Sequence, residues 1–128
     1  MATEILRPNA NGDTVQFTPM VPGEGEANWE NVDEAESDGF DTLNVQTEAS
    51  EEYDLYALPN HSEGSGTINK ITVHYKIWNN AEGNTDKAII KTGGTIYSGD
   101  VQNSEVEDWS VHSQIWETNP DTGYSCQY

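Results

Sequence analysis

The sequence has very few basic residues and almost no cysteine. Its 128 residues include 5 Lys+Arg against 23 Asp+Glu, which gives a formal net charge of −18. Proteins that bind nucleic-acid phosphates need clustered Lys and Arg, and anionic membrane surfaces attract the same residues. We therefore expect binding neither to nucleic acid nor to membranes. The single cysteine, Cys126, excludes an intramolecular disulfide framework.

Long apolar runs are also missing. No stretch approaches the roughly 18 apolar residues of a membrane-spanning helix. Residues 1–20 lack the basic-then-apolar pattern of a signal peptide. We therefore expect the protein to be synthesised in the cytoplasm and not to insert into a membrane. The length favours a single domain, residues 1–128. Within it, residues 1–40 read as an acidic, loop-rich part and residues 41–128 as the region of the main strands.

The chain does contain many aromatic residues, and they stand in alternating patterns. Four Trp, six Tyr and two Phe argue for a folded core in spite of the high charge. Residues 71–78 alternate apolar and polar side chains, which is typical of a half-buried strand. The set predicted to face the core is Ile71, Val73, Tyr75 and Ile77.

Residues 109–116 predict a second strand of the same kind. Its apolar residues Trp109, Val111 and Ile115 share one face, which we expect to be buried. His112 and Trp116 fall on the opposite face, as do His74 and Trp78 in the first strand.

Turn residues separate the strand candidates. Gly93-Gly94 supplies the positive φ angles of a two-residue hairpin turn, and residues 119–123 place Asn, Pro and Gly at turn positions. Helical periodicity is confined to one short candidate near residues 29–35. The pattern predicts an all-β protein: an antiparallel β-sandwich, jelly-roll-like, with seven to eight short strands.

The acidic segment 33–41 is the candidate metal site. Calcium prefers six to eight oxygen ligands, and a loop dense in carboxylates can supply them. An EF-hand is rejected because Val45 stands where the bidentate Glu is required. A solvated loop without metal is the alternative. The candidate calcium ligands are Asp33, Glu34, Glu36, Asp38 and Asp41.

Signals of catalysis are weak, and we predict a protein that is not an enzyme. The chain has no G-x-S-x-G nucleophile motif. Its three histidines are too widely spaced for the usual zinc motifs.

Four aromatic residues are difficult to place inside a sandwich: Trp29, Tyr56, Trp78 and Trp116. Three explanations stay open. The rings complete the core at the sheet edges, they form a subunit interface, or they provide a platform for sugars.

Several segments carry a resemblance to a known group of proteins. They are residues 2–8, 54–59, 66–73, 90–94 and 116–123. Together they resemble short β-sandwich proteins encoded by environmental tailed phages, archaeal viruses and metagenomic contigs. The resemblance implies a structural role in virions or surface assemblies, and it brings no catalytic residues.

The resembling chains continue beyond the 119–123 turn into further strands, whereas this sequence ends at Tyr128. The resemblance therefore implies an open sheet edge. Either the N-terminal segment fills this edge, or a neighbouring subunit donates a strand. We predict a self-assembling structural subunit, a homo-oligomer or filament, in a virion or an extracellular assembly. The alternatives are a carbohydrate-binding module and a calcium-dependent adhesion module.

Overall fold

The computed structural model describes residues 3–19, 27–32, 45–60, 62 and 68–124. The chain divides into two compact units, Met1–Gly64 and Ser65–Tyr128, and each is described by itself. Within the described residues the protein is all-β, as the sequence predicts. The elements are β1 (Ala10–Val15), β2 (Thr18–Pro19), a 3₁₀ helix (Asn28–Asn31), β3 (Val45–Gln46), β4 (Asp54–Ala57), β5 (Ile71–Trp78), β6 (Thr85–Asp86), β7 (Ile89–Thr92), β8 (Thr95–Ser98), β9 (Gln102–Asn103) and β10 (Trp109–Trp116).

The strands of the described residues associate in pairs. Five antiparallel two-stranded ladders form, namely β1–β4, β2–β3, β5–β10, β6–β9 and β7–β8. These ladders do not test the β-sandwich and the single domain expected from the sequence, and both stay predictions. In the same described residues, no helix is long and apolar enough to cross a membrane.

In the first unit, β1 pairs with β4 and bends along its length. Ala10 lies opposite Ala57, but the register shifts before Val15, which lies opposite Asp54. Gly12 permits the close approach of the two strands, because a Cβ at this position would lie 2.6 Å from the backbone oxygen of Leu55. The bend brings residues 16–17 beside the Asp54 side chain.

The second unit is built on the eight-residue β5–β10 ladder. Its register runs from Trp109 opposite Trp78 to Trp116 opposite Ile71, without interruption. In β5 the predicted alternation is confirmed, because Ile71, Val73, Tyr75 and Ile77 are all partly buried. His74, Lys76 and Trp78 are exposed on the other face.

The predicted orientation of β10 is wrong. Val111 and Ile115 were expected inside, but their side chains are 67% and 48% exposed. His112 and Trp116 are instead on the partly buried face. The register explains this outcome, because His112 lies opposite Tyr75 and Trp116 opposite Ile71. Residues directly opposite in an antiparallel ladder share a face, so the strong pattern of β5 fixes the orientation of β10.

The two predicted turns of the second unit are confirmed. Gly93 and Gly94 link β7 and β8, with φ angles of 57° and 82°. Such angles suit a tight hairpin turn and favour glycine at both positions. In the second turn, the Gly123 amide donates to the Asn119 carbonyl over 2.7 Å.

Few apolar side chains are buried in the described part of the chain. Only Leu55 and Ala88 qualify, at 9% and 6% exposure. Polar residues occupy the other buried positions: Asn28, Asn31, Asp54 and Asn79. The interior of each unit is therefore organised by hydrogen bonds as well as by apolar packing.

Candidate functional site

One face of the β5–β10 ladder, here called the outer face, carries most of the exposed apolar surface of the ladder. It comprises Thr72, His74, Lys76 and Trp78 of β5 and Trp109, Val111, Ser113 and Ile115 of β10. The Trp78 and Trp109 rings pack with a centroid distance of 5.8 Å and an interplanar angle of 62°. Trp78 is nevertheless 47% exposed. The predicted outward position of Trp78 is confirmed, and Trp109 lies beside it.

Trp116 does not belong to this face, although the sequence predicts it there. It is partly buried on the opposite side of the ladder, where Ile71 is its cross-strand neighbour. The residue that sequence reasoning missed is Trp109, which was assigned to the core. The register between the two strands is the signal that places it, and the sequence of either strand alone does not contain this register.

Trp29 and Tyr56 lie in the first unit and are partly buried. The Trp29 backbone amide donates to Oδ1 of Asn11 over 3.2 Å. The Tyr56 hydroxyl donates to Oδ2 of Asp54 over 2.9 Å. Of the four predicted aromatic residues, Trp29 and Tyr56 thus belong to the first unit and Trp78 and Trp116 to the second.

Asp54 is the centre of the polar network of the first unit. Its Oδ1 accepts the backbone amides of Gln16 and Phe17 over 2.7 and 2.8 Å. Its Oδ2 accepts the Asn28 side-chain amide over 2.6 Å and the Tyr56 hydroxyl. Burial, followed by the negative charge of Asp54, raises the pKa of the Tyr56 hydroxyl far above its usual value. All four donors belong to the first unit, so the network stabilises the fold of that unit.

A second polar cluster lies on the inner face of the β5–β10 ladder. The Tyr75 hydroxyl donates to Oδ1 of Asp86 over 2.6 Å, and the Ser104 hydroxyl donates to Oδ2. Nε2 of His112 lies 3.2 Å from the Ser104 oxygen and 3.8 Å from Oδ2 of Asp86. Burial and the Asp86 hydrogen bond raise the pKa of the Tyr75 hydroxyl.

This cluster contains Ser, His and Asp but lacks the geometry of a catalytic triad. In a triad the histidine accepts the serine proton, and the aspartate orients the other ring nitrogen. Here the Ser104 proton goes to Asp86, which approaches the same nitrogen of His112 that faces Ser104. The cluster connects Tyr75 of β5 and His112 of β10 with Asp86 of β6 and with Ser104, which follows β9.

The predicted calcium ligands of segment 33–41 lie outside the described residues. Within the described residues, no group of three or more His, Cys, Asp or Glu side chains is close enough to hold a metal ion. Asn31, just before the segment, is 1% exposed, and its Oδ1 has no hydrogen-bond partner among the described residues. A buried amide oxygen of this kind is costly unless a donor or cation completes it.

The first unit also has an open, polar cleft of about 330 Å³. Gln16, Thr18, Gln46 and Thr47 line it, together with Glu48 and Glu52. The lining side chains already bond one another and the backbone: Thr47 donates to Glu52, and Gln16 accepts the Tyr53 amide. None of the described residues that line the cleft is aromatic.

No family model, curated protein or solved structure matches this chain.

Proposed function

We propose that the protein is a non-enzymatic structural subunit whose copies assemble into a homo-oligomer or filament. The observation that carries this proposal is the imbalance between buried and exposed apolar residues. Two apolar residues are buried in the described structure, whereas ten large hydrophobic residues are exposed. Three of the ten, Trp78, Val111 and Ile115, share the outer face of the β5–β10 ladder, and a shared exposed apolar face of this kind indicates an interaction surface.

The strand pairing supports the same proposal. A two-stranded ladder is marginally stable in water, and each of its outer edges has unpaired backbone N–H and C=O groups. In the described residues every ladder has only two strands. A strand from a neighbouring copy can extend such a ladder, as in donor-strand complementation. We propose that this addition completes the antiparallel, jelly-roll-like β-sandwich.

The place of such an assembly is proposed from the resemblance described above. The resemblance to short β-sandwich proteins of phages and archaeal viruses favours a virion as the site of assembly. An extracellular filament is the second setting that we propose. In either case we propose synthesis in the cytoplasm, with no binding to nucleic acid and no membrane insertion.

We further propose that calcium assists the assembly. Copies that each carry −18 repel one another, and the repulsion is reduced only by screening or by bound cations. The carboxylates of segment 33–41 provide suitable ligands. Calcium binding there lowers the net charge of each copy before it meets the next one.

Carbohydrate binding is the alternative function. The exposed Trp78 ring is the observation that favours it. A sugar platform presents a flat ring surrounded by hydrogen-bonding groups, whereas Trp78 packs edge-to-face on Trp109 and has Val111 and Ile115 on the same face. These neighbours favour a protein partner over a sugar.

Size-exclusion chromatography with light scattering tests the proposed function. We expect a mass above that of one 14.2 kDa chain at micromolar concentration, and regular particles in negative-stain micrographs. A monodisperse monomer that shows tryptophan fluorescence quenching by sugars would replace self-assembly with carbohydrate binding.

A further inference from the structure

The outer face of the β5–β10 ladder is free of acidic residues in a strongly acidic chain. None of the sixteen residues of β5 and β10 is Asp or Glu, although 23 of the 128 residues of the chain are acidic. The face carries one lysine, Lys76, and one histidine, His74. Its charge is therefore opposite in sign to the net charge of the whole chain.

Acidic residues stand at both ends of the ladder. Glu107 and Asp108 precede β10, Glu117 follows it, and all three are exposed. An apolar centre with a charged rim is the usual anatomy of a protein–protein interface. Charges at the rim stay solvated when the centre is covered, so they add little to the cost of association.

The apolar centre is continuous across the two strands. Trp78 lies opposite Trp109, and Val111 follows Trp109 on the same face. Ile115 lies on the same face toward the other end of the ladder, beyond Ser113. Tryptophan is enriched among the residues that contribute most to binding at interfaces.

We infer that the outer face of the β5–β10 ladder is the surface on which a second copy of this chain packs. The inference rests on the proposed function and specifies its interface. A second copy carries the same acid-free face, so two outer faces meet without bringing carboxylates together. A contact through the acidic parts of two −18 chains would instead bring carboxylates into opposition. Such a contact between equal faces is self-complementary and closes a symmetric dimer.

Sedimentation velocity on the full chain, from low to high micromolar concentration, tests the interface. The variant is Val111→Glu, which places a carboxylate at the centre of the outer face, at a position that is 67% exposed. The matched control is Val101→Glu, which makes the same change at a 62% exposed position outside the ladder. We expect Val111→Glu to weaken association by at least about 100-fold. Val101→Glu should associate as the unchanged protein does.

A third variant, Val111→Thr, separates the effect of the added charge from an effect of misfolding. Threonine keeps the β-branched shape and adds no charge, so it should retain most of the association. Thermal unfolding of all variants at the lowest concentration confirms that the monomers are folded. If the unchanged protein associates and Val111→Glu behaves like Val101→Glu, the inferred interface is wrong while self-assembly stands. If the unchanged protein stays monomeric throughout, both the interface and the proposed function are wrong.

Discussion

At the scale of single residues, Asp54 shows how polar contacts replace apolar packing in the first unit. Its carboxylate accepts hydrogen bonds from residues 16, 17, 28 and 56, which the chain brings together from distant positions. A carboxylate can accept at both oxygens, whereas an amide presents one acceptor and one donor. We therefore expect that asparagine, which is neutral and of the same size, cannot replace Asp54 without loss of stability.

We predict that Asp54→Asn lowers the free energy of unfolding by about 2–4 kcal/mol, because the new amide group faces donors in a buried position. Urea denaturation measures the change. Asp100→Asn is the control, since it makes the same substitution at an exposed residue and should stay within about 0.5 kcal/mol of the unchanged protein. Equal losses in the two variants would contradict the role given to Asp54.

The two partly buried tyrosines, Tyr56 and Tyr75, predict a loss of stability at alkaline pH. The pKa values of Tyr56 and Tyr75 are raised in the folded protein, chiefly by burial. The folded state thus keeps protons that the unfolded chain releases above about pH 10. The stabilising contribution is complete below that pH and falls as the pH rises through the folded-state pKa values.

The expected result is a free energy of unfolding that decreases as the pH rises above about 10. In Tyr56→Phe and Tyr75→Phe the decrease should be smaller, because each variant removes one of the linked protons. Denaturation curves at a series of alkaline pH values measure the slopes. Identical slopes in all three proteins would show that neither hydroxyl is linked to folding.

At the scale of elements, the β7–β8 hairpin depends on two glycines for different reasons. Both need a positive φ angle. A Cβ on Gly93 would also lie 2.3 Å from Oδ2 of Asp121, whereas a Cβ on Gly94 would meet no atom within 4 Å. Turning Asp121 away would cost the hydrogen bond that its Oδ1 accepts from the Tyr97 hydroxyl over 2.9 Å.

Gly94→Ala should therefore cost about 1 kcal/mol for backbone strain alone, and Gly93→Ala about 2–3 kcal/mol. Denaturation of both variants measures the difference. Repeating the pair with Asp121→Ala should bring the two costs together, because the obstructing carboxylate is gone. A difference that persists without Asp121 would exclude this contact as its cause.

The strands themselves illustrate what a sequence can predict. β5 was correctly placed and oriented because its alternation is strict and its inward residues are all apolar or aromatic. β10 was placed correctly but oriented wrongly, because its polar residues His112 and Gln114 share a face with Val73 and Tyr75. Their partners supply the reason: His112 lies beside Ser104, and Gln114 accepts the Asp100 amide over 2.8 Å.

These partners could not be predicted because they are contributed by short strands and loops with no alternating pattern. The same holds for the candidate site. Trp78 was found from its strand, whereas Trp109 became part of the outer face only through the register between β5 and β10. Local sequence indicates the strands, and long-range pairing decides which side chains meet.

At the scale of the whole molecule, net charge opposes the proposed assembly, which the exposed apolar residues favour. We predict that calcium promotes assembly more than sodium at matched ionic strength, as measured by light scattering. Neutralising three of the proposed ligands, Asp33→Asn, Glu36→Gln and Asp38→Asn, should abolish the calcium effect. The control neutralises three acids elsewhere, Glu105→Gln, Glu107→Gln and Asp108→Asn, and should retain it. If calcium and sodium promote assembly equally at matched ionic strength, calcium acts only by screening charge and the proposed calcium site is wrong.

Hydrogen–deuterium exchange in β5 and β10 tests most directly whether a second copy covers the β5–β10 ladder. The exchange is measured below and above the protein concentration at which association is half complete. If the outer face and ladder edges are covered by another copy, the amides of these two strands should exchange more slowly at the higher concentration. The amides of β1 and β4 serve as the internal reference for effects outside the ladder. Exchange in β5 and β10 that is independent of concentration, in a sample that has associated, would contradict the central claim.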